Sequence, residues 1–292
     1  MNTFREILSK LPSSVRQELE VLPDSIVSSV EEIRLRSDQN VRLQCGDKVK
    51  IISHVISPAE LQAILNSLIK YSYYAYEEDL AKGFVTIEGG HRVGVCGRVV
   101  MKRGQPALIK EISSLNIRFA KEIKGCSDKI INEILNEQGK PYNTLVVSPP
   151  GCGKTTLLRD IARNLSIRKI KVSICDERSE IAGMFCGRPS FDLGSGTDIL
   201  DGCDKTEGIP MLIRSMSPHV IITDEIGKKA DINAVEQCLS CGVSLITSIH
   251  GYSREDLFSS AISSIIKQNI FKRIIYLSSE NGPGTIKEVF HV

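Results

Sequence analysis

No stretch of this 292-residue chain approaches the roughly 20 consecutive apolar residues that cross a bilayer. Met1–Lys10 mixes charges with its apolar residues and has no apolar core of the kind a secretory signal carries. A soluble, cytoplasmic chain is therefore expected, one that could still sit on a membrane protein. Excess charge is also lacking. Thirty-seven Lys and Arg stand against 35 Asp and Glu, a net of +2, which excludes a strong overall field for nucleic acid and an acidic tail but leaves room for a local basic face. A disulfide framework is absent too: the nine cysteines are odd in number and scattered through a chain too long and apolar to need staples. The only metal-like spacing, Cys238-Leu-Ser-Cys241, has no second pair nearby and reads as small residues packed inward on a helix.

What is present suffices for one large domain or two ordinary ones, with 41% of residues hydrophobic. Residues 1–30 read as two short helices broken at Leu11-Pro12 and Leu22-Pro23. Residues 31–52 alternate as strands: Glu32–Arg36, Val41–Leu43 and Val49–Ile52. Ser57-Pro58-Ala59-Glu60 carries a serine cap, a first-turn proline and a glutamate at the third helical position, and it opens a helix to about Lys70. Tyr71, Tyr73, Tyr74 and Tyr76 follow, as packing at a helix junction or as a base-stacking surface. Gly89-Gly90 then separates two alternating runs, Gly83–Glu88 and His91–Val100, as a hairpin turn does.

The pattern changes around Phe119–Gly125, and from about Asn143 strands and helices alternate, which implies a parallel sheet covered by helices on both faces. The expected organisation is a smaller N-terminal α+β domain, 1–122, that could subdivide into 1–52 and 53–122, followed by an α/β P-loop domain, 123–292.

The chemistry concentrates in Leu145–Leu158. An apolar strand runs through Ser148-Pro149-Pro150-Gly151-Cys152-Gly153-Lys154-Thr155-Thr156 into a helix. Successive backbone N–H groups ahead of a helix N-terminus form an anion cradle. Gly151 and Gly153 let the backbone approach a phosphate chain, Lys154 reaches the β- and γ-phosphates of ATP, and the Thr155 hydroxyl ligates Mg²⁺. Serine at 148, where the P-loop pattern has glycine, predicts a slightly restricted loop.

A second segment, Val220-Ile221-Ile222-Thr223-Asp224-Glu225, delivers two acids at the end of an apolar strand. Asp224 is placed to hold hydrated Mg²⁺ and Glu225 to polarise the attacking water. Between them a strand at Lys169–Cys175 ends in Asp176-Glu177-Arg178, and a later one, Val243–Ile246, ends in Thr247-Ser248-Ile249-His250-Gly251. Four strands thus expose polar groups at their C-terminal ends, the edge where open α/β sheets bind ligands. Glu177 competes with Glu225 for the water, unless it anchors Arg178. His250 is a candidate sensor of the γ-phosphate or of conformation.

These strand ends together resemble the type II/type IV secretion ATPase superfamily. Within it, Asp176–Ile181, Asp201–Gly208, Leu212–Pro218, Glu32–Arg36, Gly89–Gly94 and Ser114–Arg118 resemble the stage III sporulation protein AA family, so the likeness covers nearly the whole chain. The resemblance implies a hexameric RecA-like ATPase behind a small N-terminal domain. It further implies membrane-protein partners of a sporulation channel at the cytoplasmic face, and no stable nucleic-acid partner. Ring ATPases often complete a site with a neighbour's arginine. Arg178, Arg188 and Arg214 are candidates in the motor, with Arg214 favoured, and Arg92, Arg98 and Arg118 in the front domain. Two other readings stay open: an ATPase that binds single-stranded nucleic acid through Arg34, Arg36, Arg42, Lys48 and Lys50, and a scaffold that holds ATP without turning it over.

Overall fold

The structure is a computed structural model that describes residues 3–280 and 282–292; the first two residues of the predicted N-terminal helix lie outside the described residues. The chain divides into two compact units, Met1–Lys121 and Glu122–Val292.

The first unit opens with three short helices, α1 (Thr3–Leu8), α2 (Ser13–Glu20) and α3 (Asp24–Val27). The sequence pattern suggested two. Pro12 and Pro23 each occupy the position just before a helix, where a fixed φ and a missing N–H are tolerated, so each proline ends one helix and starts the next. Then come β1 (Glu32–Arg36), β2 (Gln39–Cys45), β3 (Lys48–Ile56), α4 (Pro58–Leu68), α5 (Glu77–Ala81), β4 (Phe84–Ile87), β5 (His91–Lys102) and β6 (Gln105–Arg118). The strands form one antiparallel sheet in the order β3-β2-β1-β6-β5-β4, so the 1–52 and 53–122 stretches share a single core. Helix α4 starts with the predicted capping box, the Glu60 N–H donating to Ser57 Oγ and the Ser57 N–H to Glu60 Oε2 at 2.9 Å. Of the tyrosines, Tyr74 is 92% exposed.

The second unit holds β7 (Thr144–Ser148), α6 (Lys154–Ile167), β8 (Val172–Asp176), β9 (Thr197–Asp201), α7 (Lys205–Met216), β10 (Val220–Glu225), α8 (Lys229–Ser240), β11 (Ser244–His250), α9 (Arg254–Ser259), α10 (Ser263–Lys267), β12 (Arg273–Ser278) and β13 (Thr285–His291). Its sheet runs β13-β12-β7-β11-β10-β8-β9 and is parallel except for β13. Both faces are covered. Val146, Ile174, Ile222 and Ile246 pack with Leu157, Leu158 and Ile161 of α6, while Leu145, Val147, Ile221 and Leu245 pack with residues of α7, α8 and α10. Successive strand residues point to opposite faces, which is why these strands are apolar without alternation. Each fully buried Leu or Ile contributes roughly 1.5–3 kcal/mol. The four predicted strands are β7, β8, β10 and β11; β9, β12 and β13 escaped notice. Among the described residues no helix is long and apolar enough to cross a membrane.

The segment that leads into β7 is pinned to α6. Buried Asp160 accepts hydrogen bonds from the Gly125 N–H at 3.0 Å, the Ser127 N–H at 2.8 Å, Ser127 Oγ at 2.7 Å and Arg163 Nε at 2.8 Å.

Candidate functional site

The loop after β7 takes the shape its glycines permit. Gly151 and Gly153 adopt φ of +77° and +88°, the left-handed region that disfavours any side chain, and Gly153 caps α6. A Cβ at Gly153 would lie 2.2 Å from the Gly284 nitrogen, whereas one at Gly151 would meet nothing within 4 Å. The reason is a support absent from the sequence reading: the loop between β12 and β13 docks here, its Gly284 N–H donating to the Cys152 carbonyl at 2.8 Å. Ser148 stands where the P-loop pattern has glycine. Its backbone lies outside the left-handed region, it is the last residue of β7, and its hydroxyl donates to the Pro149 carbonyl at 2.8 Å. Pro149, Pro150, Cys152, Thr155 and Thr156 complete the loop and the first turn of α6.

Lys154 does not stand alone. Its Nζ lies 2.7 Å from His250 Nδ1, and His250 Nε2 lies 2.9 Å from Glu225 Oε2. An ammonium can only donate, so Nδ1 accepts and Nε2–H donates to the carboxylate. A lysine–histidine–glutamate chain therefore runs from the loop after β7 across the end of β11 to the end of β10. Partial burial holds the Lys154 ammonium below its ordinary pKa, with Glu225 acting in the opposite direction. Hydroxyls fix the strands that carry the chain: Thr247 Oγ1 donates to the Asp224 carbonyl at 2.6 Å and Thr223 Oγ1 to the Cys175 carbonyl at 2.8 Å. The β10–β11 register shifts between Ile222 and Glu225. Asp224 is buried next to half-exposed Glu225.

The second set of charges surrounds Asp224. Lys205, the first residue of α7, hydrogen-bonds Glu177 Oε2 and lies 3.5 Å from Asp224 Oδ1. Lys228 adds a longer contact, 3.7 Å to Glu177 Oε1. Burial by itself would lower the Lys205 pKa, but Glu177 and Asp224 more than offset it and hold the ammonium above its ordinary range. Burial is also the main reason the Asp224 carboxyl is pushed up to about 6. Lys205 works against that rise, and Asp176, Glu177 and Glu180 reinforce it. The site thus carries surplus negative charge, and its oxygen donors, the Thr155 hydroxyl and the Asp224 carboxylate, suit a hard divalent cation such as Mg²⁺.

The two acids at the end of β8 have different tasks. Asp176 is buried and accepts the backbone N–H groups of Glu180, Ile181 and Ala182 at 2.8–3.0 Å, so it shapes the following turn. Arg159 holds the same turn from α6, donating to the Ile181 carbonyl at 2.8 Å and stacking 3.5 Å from the Phe191 ring centroid. That frees Glu177 to face Lys205, and Arg178 is exposed.

The sheet therefore gathers Lys154, Glu177, Asp224, Glu225 and His250 at one edge. It does not bring Arg214 there. Arg214 is exposed in the last turn of α7, nine residues and about 13 Å of helix rise beyond Lys205. Lys205 is the functional candidate that sequence reasoning missed; its signal was a lysine next to the capping residue Asp204 in the family-like Asp201–Gly208 stretch. Of the cysteine pair, only Cys238 is packed inward, its thiol pushed up to about 12 by burial, while Cys241 is exposed past the end of α8. Among the described residues no group of His, Cys, Asp and Glu forms a metal cluster by itself.

Comparison with known proteins bears on the family and the fold. The family model described as "Sporulation stage III, protein AA" matches residues 1–292. The chain is 40% identical over 293 residues to the stage III sporulation protein AA of Bacillus subtilis (strain 168), covering 98% of this chain and 95% of that protein. Among solved structures it resembles the Legionella pneumophila ATPase DotB, at 17% identity and a TM-score of 0.59 over 91% of this chain and 76% of DotB. It also resembles the pilus retraction motor PilT with bound ADP, at 14% identity and a TM-score of 0.60 over 90% of this chain and 76% of PilT. At these identities the likeness establishes a shared fold.

Proposed function

Since the chain belongs to the stage III sporulation protein AA family, we propose that it is an ATP-hydrolysing motor that energises a membrane channel complex between mother cell and forespore. It would work as a hexameric ring at the cytoplasmic face. The observation that carries the reading is the convergence of two cation–carboxylate sets on strand ends beside a loop with two left-handed glycines.

In this reading the N–H groups between Pro149 and Thr156 cradle the triphosphate, and Lys154 leaves His250 for the β- and γ-phosphates. Thr155 and Asp224 would hold Mg²⁺, which when bound neutralises charge on the phosphate oxygens. Water adds to the γ-phosphorus, the bond to the β–γ bridging oxygen breaks, and ADP leaves. Glu177 or Glu225 orients that water and accepts its proton. His250, released from Lys154, reports phosphate occupancy to Glu225. Arg214 would act only across a subunit boundary, since in its own subunit it lies at the far end of α7.

ATP turnover by the purified protein tests the proposal. Lys154→Ala should abolish turnover, and substitution of the water-orienting glutamate by Gln should lower it by about 10²–10⁴-fold, so Glu177→Gln and Glu225→Gln decide between the two. Wild-type turnover no higher than that of Lys154→Ala would remove the enzyme reading. The basic face of the nucleic-acid reading is split, because Arg34 and Arg42 share one face of the first sheet while Lys50 is in register with buried Leu43 on the other. The scaffold reading rested on Ser148, whose φ is not positive; tight ATP binding without phosphate release would favour it over the motor.

A further inference from the structure

Lys205 is the only buried lysine among the described residues, 3% exposed. Its position is costly twice over. Burying an ammonium requires compensating charge, and the first residue of a helix is where the macrodipole disfavours a cation. The compensation is the pair Glu177 and Asp224, one hydrogen-bonded and the other 3.5 Å away. One of these carboxylates is the proposed anchor for Mg²⁺ and the other a candidate to orient water. A divalent ion at Asp224 and an ammonium at the same carboxylate repel each other strongly at this range.

We propose that Lys205 is a tethered counter-cation: without nucleotide its ammonium bridges Glu177 and Asp224 and excludes divalent ions, and Mg²⁺ arriving with nucleotide displaces it onto Glu177. The nucleotide's phosphates supply the extra negative charge that lets both cations stay. The lysine thus makes cation binding conditional on nucleotide, and afterwards it is a positioning residue that orients the Glu177 carboxylate. The inference rests on the ATP reading only for the identity of the second ligand.

The test is a Mn²⁺ titration of nucleotide-free protein, followed by electron paramagnetic resonance. Lys205→Gln should bind Mn²⁺ at least about tenfold more tightly than wild type. Lys205→Arg, which keeps the charge, should behave like wild type, and adding Asp224→Asn to Lys205→Gln should erase the gained site. Equal Mn²⁺ affinity in wild type and Lys205→Gln would overturn the proposal, as would a gained site that survives Asp224→Asn. Should Lys205→Gln fail to fold, the side-chain ¹⁵N resonance of Lys205 in wild type, assigned with Lys205→Arg, gives the answer. It should move with Mg²⁺ plus ADP and stay put with Mg²⁺ alone; an equal response to Mg²⁺ alone would refute the displacement. Neither measurement needs turnover, so a chain unable to hydrolyse ATP would still pass or fail it.

Discussion

Acidification should loosen the first unit through His91. The ring is fully buried, edge-on to Phe119 with centroids 5.6 Å apart. Its Nδ1 accepts the Ala120 N–H at 3.1 Å, so the neutral ring carries its proton on Nε2, which has no partner. A protonated ring would put a charge in this apolar setting. Burial, with a smaller contribution from Lys10, therefore lowers its pKa from 6.5 to about 4. The folded unit binds the proton less well than the unfolded chain, so stability is fully present above pH 6.5 and declines as the pH falls toward about 4. At about pH 5 the loss is about 2 kcal/mol, and it levels off near 3 kcal/mol below about pH 4. Hydrogen exchange of β4–β6 peptides, corrected for intrinsic rates, follows this unit separately, as a two-unit chain requires. In wild type the opening free energy should fall by about 2 kcal/mol between about pH 7.5 and about pH 5. In His91→Gln, less stable at neutral pH, it should fall far less. Parallel declines in the two proteins would refute the assignment.

Two further outcomes test the second unit. Gly153→Ala drives a Cβ into the backbone of Gly284 at 2.2 Å and should cost about 3 kcal/mol or more; it should also abolish binding of a fluorescent ADP analogue. Gly151→Ala, strained in φ alone, should cost only about 1–2 kcal/mol, and equal thermal shifts would contradict the docking of the β12–β13 loop. Asp160→Asn puts an amide N–H₂ among donors and should cost about 3 kcal/mol in urea unfolding. Burial would raise the Asp160 carboxyl, but the bonds from Ser127, Gly125 and Arg163 outweigh it and hold it below 3.8. Its contribution is therefore present above pH 3.8 and lost as the pH falls below. An unchanged urea midpoint in the variant would argue against the node.

Much of the candidate site was legible because its pattern is local. A glycine-rich turn between an apolar strand and a helix is a local pattern, and acids that end an apolar run must emerge at a strand end, so Lys154, Thr155, Asp224 and Glu225 could be named in advance as candidates. The capping box at Ser57 and Glu60 is equally local, since both partners lie within one helical turn. Strands β9, β12 and β13 were harder. They sit toward the ends of the sheet, where partial burial leaves a weak pattern, and β12 takes its place only by pairing with the distant β7.

The amino-acid sequence by itself determined the parallel sheet, the glycine-rich loop after β7 and the set of acids at the strand ends, because period, glycine placement and strand-end chemistry act over a few residues. Only the tertiary structure decided what each of these side chains touches. Asp176 turned out to hold a backbone turn, Lys205 to bridge two carboxylates, His250 to join Lys154 to Glu225, and Gly284 to brace the loop. Each of those contacts joins residues dozens of positions apart, or, for Asp176, depends on a turn that Arg159 holds from another element. Electrostatic pairing and steric exclusion depend on distance in space, and the order of strands in the sheet sets that distance.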